Sequence, residues 1–429
     1  MRIIILNQFF YPDHSATSQL MTELAESLVE RGVEVTALAG RGRYNGGERL
    51  APSESLRGVR IERAWSTSFG KRSTLGRVSD YLSFYLGASW KMLRLPRHEL
   101  VMALTTPPLI GLVALAVGRL RRMRVVMLVQ DVYPDIAIAL GALSARNPAT
   151  RVIDWISRRT LKRADCIVVL SQCMRDRIAA KIGAERVSRI DVIHNWADGS
   201  DIRPLAKNEP NPFAKANNLD SSFVVLFSGN LGRVNEFSTV LEAARLLRGR
   251  GDIVFLFVGD GAKTREIEEF TLQHKLTNVR LLPYQPRAQL RYSLAAGHAS
   301  LVTLADGLAG LSVPSKAYAI MAAGRPMLFV GDARSETARI IETNGCGAVA
   351  RSGESGRLAS IIEDWAANGT KIEEMGRAAR ALFEERFDRQ QAVEAYVQSF
   401  EKCLSNVESP AGDSVAREAK SDREAEANL

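Results

Sequence analysis

Sulfur and histidine are scarce in this chain. Its 429 residues include four cysteines, Cys166, Cys173, Cys346 and Cys403, and five histidines. No two of the cysteines form a CxxC pair and no Cys/His set has metal-ligand spacing. That argues against a structural zinc site or a disulfide framework and for a reducing compartment. Long apolar runs are missing too, since LIGLVALAVG stops at Arg119, well short of the roughly 18 to 20 residues of a membrane span. The start, MRIIILNQFFYPDH, has one Lys or Arg and a short apolar stretch that turns polar, and so reads as a first strand and not a secretion signal. The loop after that strand contains no glycine, where a dinucleotide fold needs GxGxxG, which weighs against an NAD or FAD enzyme. No DxD motif is present to hold a divalent ion on a diphosphate.

Acidic residues are short in one half only. Residues 1–200 carry 29 Lys+Arg against 18 Asp+Glu, and residues 201–429 carry 28 against 30, so charges of +11 and −2 make up the net +9. A field of that kind favours a polyanion, an anionic membrane surface or a phosphorylated substrate. The expected location is cytoplasmic, peripheral on the inner face of the plasma membrane.

The length suits two domains with substantial cores. Ile3 to Leu6, a helix with Leu20, Leu24 and Leu28 on one face, a Gly32 stop and Val33 to Ala39 form a strand-helix-strand unit, which opens a doubly wound parallel sheet. Arg41 to Arg72 is glycine-rich and basic and reads as a mobile, partly extended segment. Leu75, Val78, Leu82, Tyr85, Leu86, Trp90 and Leu93 then recur at helical steps, with Arg77, Lys91 and Arg94 beside them. This amphipathic helix suits either an anionic bilayer surface or packing on its own domain. Further strands are expected at Val101 to Leu104, Val125 to Val129, Cys166 to Leu170 and Ile190 to Ile193. The division follows: a first domain over 1–198, a polar, proline-bearing linker over 199–222, a second domain over 223–388, a last helix over 389–403 and a disordered tail over 404–429.

Chemistry-bearing residues gather at strand ends. In the second half these are SGNLGR with Gly229, Asn230 and Arg233; VGDGAK with Gly259, Asp260 and Gly261; LPYQP with Pro283 and Tyr284; and the loop Gly307 to Lys316 with Leu311, Ser312, Val313 and Ser315. Glycines there admit a diphosphate close to the backbone, while Arg233 and Lys316 neutralise it from separate loops. A helix is expected from Pro314, with Gly324 as its stop and MLFV as the next strand. In the first half, Tyr11 and His14 follow strand one, and QDVYPD places Asp131 and Tyr133 at a carboxyl edge, where ligands bind in open α/β folds. Asp131 can take a proton or cap a helix.

SGN with Arg233, VGDG, and PSKAYAIMAAGRP together resemble the donor-binding segments of the family 4 glycosyltransferases with the GT-B fold. The likeness is greatest to the bacterial branch that builds O-antigen, capsule and colanic-acid-type polysaccharides, and it runs from about Ile3 to Phe400. It implies an α/β architecture of two doubly wound Rossmann-like parallel-sheet domains facing across a cleft, with the last helix crossing back to the first. It implies retaining, metal-independent transfer from a nucleotide sugar, UDP- or GDP-linked, with no other cofactor. By the same comparison Arg233 and Lys316 hold the pyrophosphate, and Tyr11, His14, Asp131 and Tyr133 lie on the acceptor side. The family's two glutamates around this helix correspond to Leu311 and Ala319, and its usual basic pair to Asn230 and Asn235, so this chain departs from the pattern at four places. The expected partners are a nucleotide sugar, a polyprenyl-diphosphate-linked glycan acceptor and the anionic inner membrane, with no nucleic acid. A nucleotide-sugar epimerase on the same fold, or an inactive adaptor, is the alternative.

Overall fold

The computed structural model describes residues 1–13, 15–43, 48–69, 74–206 and 208–405. Among these residues the strands form two sheets, of eight and six strands. The first contains β1 (Arg2–Leu6), β2 (Glu34–Gly40), β3 (Ser53–Leu56), β4 (Val59–Ala64), β5 (Leu100–Ala103), β6 (Arg124–Val129), β7 (Cys166–Val169) and β8 (Ile190–Val192). Its order is β3-β4-β2-β1-β5-β6-β7-β8, parallel except for the β3–β4 pair. The second contains β9 (Phe223–Ser228), β10 (Ile253–Val258), β11 (Val279–Leu282), β12 (Ala299–Thr303), β13 (Met327–Val330) and β14 (Gly347–Ala350), in the order β11-β10-β9-β12-β13-β14. In each sheet the order reverses beside the first strand, between β1 and β5 and between β9 and β12. A crevice therefore opens there at the carboxyl ends.

Local chemistry starts and stops the helices. Helix Ala16–Glu30 begins at Ser15, whose side chain accepts from Ser18 N, and its Leu20, Leu24 and Leu28 are buried. Gly32 then turns the chain with φ 80°, a left-handed conformation that costs glycine little. The strands that follow are apolar on both faces, as parallel strands between helix layers must be.

Two segments differ from the sequence reading, and a third, helix Thr74–Arg94, has both of the faces it allowed. Arg41 to Arg72 is not simply extended, for it contains β3 and β4, an antiparallel pair in which β4 adds to β2 in parallel. Its polar SESL strand lies at the sheet edge, where little burial is required of it. Residues 199–222 do not form an open linker: helix Pro212–Ala216 is capped by Asn211, and Ile202, Phe213 and Leu219 are buried. Helix Thr74–Arg94 is apolar on two faces. Phe84, Ala88 and Met92 pack inward with no exposed surface, while Leu75, Leu82, Leu86 and Trp90 are 81%, 56%, 74% and 57% exposed.

The last helix, Arg389–Ser405, leaves the second domain and lies on the first. Tyr396 stacks edge-on to Trp196 at 6.1 Å, Ser399 donates to Asp191 at 2.8 Å, and Lys402 pairs with Asp191 at 2.8 Å. Phe400 is wholly buried there. Where the chain makes its two passages between domains, the passages touch: Ala197 and Asp388 form a parallel bridge, with Arg389 N donating to Ala197 O at 3.1 Å. The last helix runs through Ser405, two residues into the 404–429 segment read as a disordered tail, and the rest of that segment, 406–429, lies outside the described residues.

Candidate active site

The second domain's crevice is built by glycines that let backbones nest. Gly259 has φ 144°, and a Cβ there would stand 2.0 Å from Gly229 O, so no side chain fits. At Gly261 a Cβ would stand 2.5 Å from Leu231 O. The loop between them is tied from inside by Asn235, whose amide donates to Asn230 O at 3.0 Å and Gly232 O at 3.1 Å. Its Oδ1 accepts from Thr303 Oγ1 at 3.1 Å. Asn235 is buried and its polar atoms are spent on the loop, so at this position the chain has a staple and not a ligand group.

The α-helix after that crevice begins at Lys316, two residues beyond Pro314. The Lys316 side chain runs back beneath the glycine loop, and its Nζ lies 3.1 Å from the centroid of the Phe227 ring. A Cβ on Gly229 would be 3.6 Å from that Nζ, so the lysine lies against the glycine that ends β9. The Nζ is sealed from solvent without a hydrogen-bond partner, and burial pushes its pKa well below the ordinary lysine value. A desolvated cation–π contact contributes about 2 kcal/mol, less than the several kcal/mol that burying an ammonium costs. An anion at Gly229 would make up the difference. Arg233 stands exposed on the stapled loop, and among the described residues it has no ion pair. It is free to swing onto the same anion.

Around these two cations the other donor-side residues fall as follows. Asp260 Oδ1 accepts from Gly261 N at 2.7 Å and Thr264 Oγ1 at 2.9 Å, so its carboxylate shapes the loop. Tyr284, more than half exposed, donates to Asp260 O at 3.2 Å beside exposed Pro283. Asn230 is exposed at the mouth, and Val313 and Ser315 are partly buried on the approach to Lys316. Leu311 is 1% exposed, its side chain in the core, and offers only backbone. Ala319, the other position where a glutamate is missing, packs against the same core.

Facing this crevice, the first domain presents Asp131 at the end of β6. Its carboxylate accepts a hydrogen bond from Ser312 of the second domain, and Val132 N donates to Leu311 O at 2.9 Å. The cleft is thus bridged beside the donor loop. Burial in the closed cleft raises the Asp131 carboxyl above its usual range, and the Ser312 bond offsets only part of this. Asp131 and Tyr133 line a cavity of about 40 Å³ together with Thr105 and Ser157. Burial also raises the Tyr133 phenol. Tyr11 is 40% exposed on the loop after β1, and its carbonyl accepts from buried Arg63 at 2.7 Å. His14 lies outside the described residues. A second bridge across the cleft is Arg287, which reaches Glu23 at 2.7 Å and Asp201 at 3.2 Å.

Sequence reasoning did not single out Phe227, the Thr303–Asn235 tie or Arg287. Phe227 reads as one more strand residue, and only its place beneath a glycine-ended strand sets it apart. The Asn–Thr tie joins residues 68 apart and has no local signal. Among the described residues no helix is long and apolar enough to cross a membrane.

Comparison with known proteins agrees with this layout. Residues 16–196 match the glycosyl transferase 4-like domain, and residues 209–382 match the glycosyl transferases group 1 domain. The probable glycosyltransferase WbjE of Pseudomonas aeruginosa is 28% identical over 312 residues, which are 73% of this chain and 76% of that protein. The putative colanic acid biosynthesis glycosyl transferase WcaI of Escherichia coli K12 is 24% identical over 360 residues, 80% of this chain and 86% of that one. The crystal structure of Anabaena Alr3699/HepE in complex with UDP-glucose superposes with a TM-score of 0.71 at 16% identity, over 94% of this chain and 100% of that one. With two Rossmann-like domains meeting at their carboxyl edges and both domain models matched in order, the chain belongs to the GT-B glycosyltransferases of the group 1 type.

Proposed function

We propose that the protein transfers a sugar from a nucleoside-diphosphate donor to a hydroxyl of a lipid-linked glycan acceptor in bacterial surface-polysaccharide synthesis. The observation that carries the donor half is Lys316, whose buried, unpartnered Nζ lies against Gly229 at the strand end. A nucleotide diphosphate laid over Gly229 would place its charge on Lys316 from below and Arg233 from the side. In the transfer, the bond between the anomeric carbon and the diphosphate oxygen breaks, the acceptor oxygen bonds to that carbon, and the electron pair stays on the diphosphate. The acceptor proton passes to a leaving phosphate oxygen or to Asp131. Charge builds on the leaving group in the transition state, and fixed cations there stabilise it without reorganisation. Lys316 and Arg233 supply that charge without a divalent ion, and the family resemblance carries retention of configuration. The relative involved in colanic acid synthesis and the neighbour that binds UDP-glucose support a UDP-sugar and a polysaccharide product.

The acceptor half rests on the first domain. Its net positive charge and the exposed Leu75, Leu82, Leu86 and Trp90 of helix Thr74–Arg94 suit the surface of an anionic bilayer, with a lipid-linked acceptor presented at the cleft. The deciding experiment titrates UDP, GDP, ADP and CMP by calorimetry against the wild type, Lys316→Ala and Arg233→Ala. One nucleoside diphosphate should bind, and each substitution should weaken it. Binding that ignores both residues would remove the donor site as drawn. Turnover that persists in EDTA and requires the acceptor separates transfer from epimerisation.

A further inference from the structure

Away from the cleft, the first domain carries a groove that the transfer reaction does not use. Helices Gly111–Leu120 and Pro148–Arg163 lie on the same side of the first sheet as helix Thr74–Arg94, because all three belong to right-handed crossovers that run in one direction across it. Between the two helices is an open groove of about 340 Å³, the size of a small-ligand site. Its walls are apolar, formed in part by Leu112, Trp155 and Ile156, and Leu112 and Trp155 are 42% and 60% exposed. Three guanidinium groups, Arg119, Arg159 and Arg163, line the same groove. Arg119 donates to Arg163 O at 2.8 Å, which ties the two helix ends together, and Arg159 stands over the Trp155 ring at 5.4 Å. Among the described residues none of the three arginines has a carboxylate partner within ion-pair distance. Three like charges gathered beside an apolar trough repel one another, and an anion bound among them would relieve that repulsion.

Simple capping does not account for the set. Lysine and arginine in a last turn do favour the negative helix end, which explains Arg119 and Arg163 singly. It does not explain Arg159, a full turn earlier, or the exposed Trp155 and Leu112 beside it. Nor does the acceptor's own carrier fit. Gly111 and Thr160 border the cavity of Asp131; along helix Gly111–Leu120 the groove runs from Leu112 to Arg119, so Arg119 lies away from the cleft, whereas Arg159 adjoins Thr160. A carrier diphosphate, adjacent to the reacting sugar, would need its cations at the near end.

We propose that this groove binds one phosphate-bearing membrane lipid, its phosphate on Arg119, Arg159 and Arg163 and one acyl chain between Leu112 and Trp155. The site is separate from the donor crevice and independent of the acceptor. It lies on the same side of the first sheet as helix Thr74–Arg94, whose exposed apolar face could rest on the same bilayer. Charge complementarity sets the preference: an anionic headgroup enters, and a zwitterionic one brings a choline that the three arginines repel.

The test uses the full chain and Trp155 as its own reporter. Short-chain phosphatidylglycerol carrying brominated acyl chains is titrated below its micelle concentration, with brominated phosphatidylcholine and inorganic phosphate as separate arms. The expected result is saturable quenching by the anionic lipid, absent in Trp155→Phe, and at least about tenfold weaker in Arg159→Gln/Arg163→Gln, at roughly 1 kcal/mol per cation near a lipid surface. Because both arginines are on exposed helix surface, the double variant should keep wild-type melting and nucleotide binding. Equal quenching by phosphatidylcholine, or quenching unchanged in the arginine double variant, would overturn the proposal. So would displacement of the lipid by millimolar phosphate alone, which would make this a free-anion site, or a change from dimer to monomer in Trp155→Phe, which would make it a face for a second copy.

Discussion

Replacing Lys316 by methionine should make the free protein more stable and its nucleotide complex weaker. In the ligand-free crevice the ammonium is buried over Phe227 without a hydrogen-bond partner. Methionine has nearly the same length, keeps the packing against the ring and removes the unsatisfied donor, a gain of about 1–3 kcal/mol. For a domain of this size that raises Tm by roughly 2–4 °C per kcal/mol. The nucleotide complex loses a charge-assisted contact of about 1.5–3 kcal/mol, or roughly 10- to 150-fold in Kd. The pH dependence has a definite sign. Since burial lowers the Lys316 pKa, the unfolded chain holds that proton more tightly than the native one. The free wild type therefore gains stability as pH rises from the depressed native value toward the ordinary lysine value, and the methionine variant lacks this slope. A diphosphate opposes the shift, so nucleotide binding should take up a proton at any pH above the depressed native value, visible as a dependence of calorimetric heat on buffer ionisation. Scanning calorimetry of both proteins, with and without the nucleoside diphosphate, checks all of this. A lower Tm for Lys316→Met, or unchanged nucleotide affinity, would refute the account of Lys316 as a cation awaiting its anion.

Asp131→Asn should lower turnover by about 100-fold or more if Asp131 takes the acceptor proton. Burial raises the native carboxyl, so its contribution to stability is present at low pH and is lost as pH rises through the unfolded and then the native value; the asparagine variant should therefore melt higher than wild type at pH 8 and no higher at pH 4. Leu82→Ser/Leu86→Ser, both exposed, should leave melting unchanged while cutting retention by anionic vesicles in a flotation assay; equal flotation would detach this helix from the membrane reading. Phe400→Ala, at a wholly buried position, should cost about 3–5 kcal/mol in chemical denaturation. Gly259→Ala should abolish nucleotide binding or folding, because its Cβ has no room against Gly229 O.

Much of this was legible in one sequence, for reasons that can be named. Parallel strands between helix layers are apolar throughout, and runs such as VVLFSGN and VGDGAK announce both the strand and the glycine that ends it. Lys316 and the glycines were legible as a cluster at successive strand ends because their chemistry is local to each loop. What stayed hidden depended on distance. β3 is a polar edge strand whose only partner is β4, so nothing in SESL demands burial. Asp131 meets Ser312 across 181 positions of chain, and neither residue indicates the other. Helix Thr74–Arg94 showed its Leu75 to Leu93 stripe plainly, yet the sequence could not say that this stripe faces outward while Phe84, Ala88 and Met92 do the packing. Apolar periodicity reveals a face but not what lies against it.

The bridge between Ala197 and Asp388 bears on how the enzyme opens. The chain passes between domains twice, and the two passages are fastened side by side, with Ala197 N and O both engaged, Gly199 N on the Asp388 carboxylate at 3.3 Å and Arg389 paired with Asp198 at 3.1 Å. If the domains separate, two chain passages fastened side by side would favour rotation about the line they define over sliding. The Asp131–Ser312 and Arg287–Glu23 contacts must therefore part together, like the free edge of a book whose spine is Ala197 and Asp388. On the proposed function, groups held at Gly229 and at Asp131 would then be brought together along a single arc of travel.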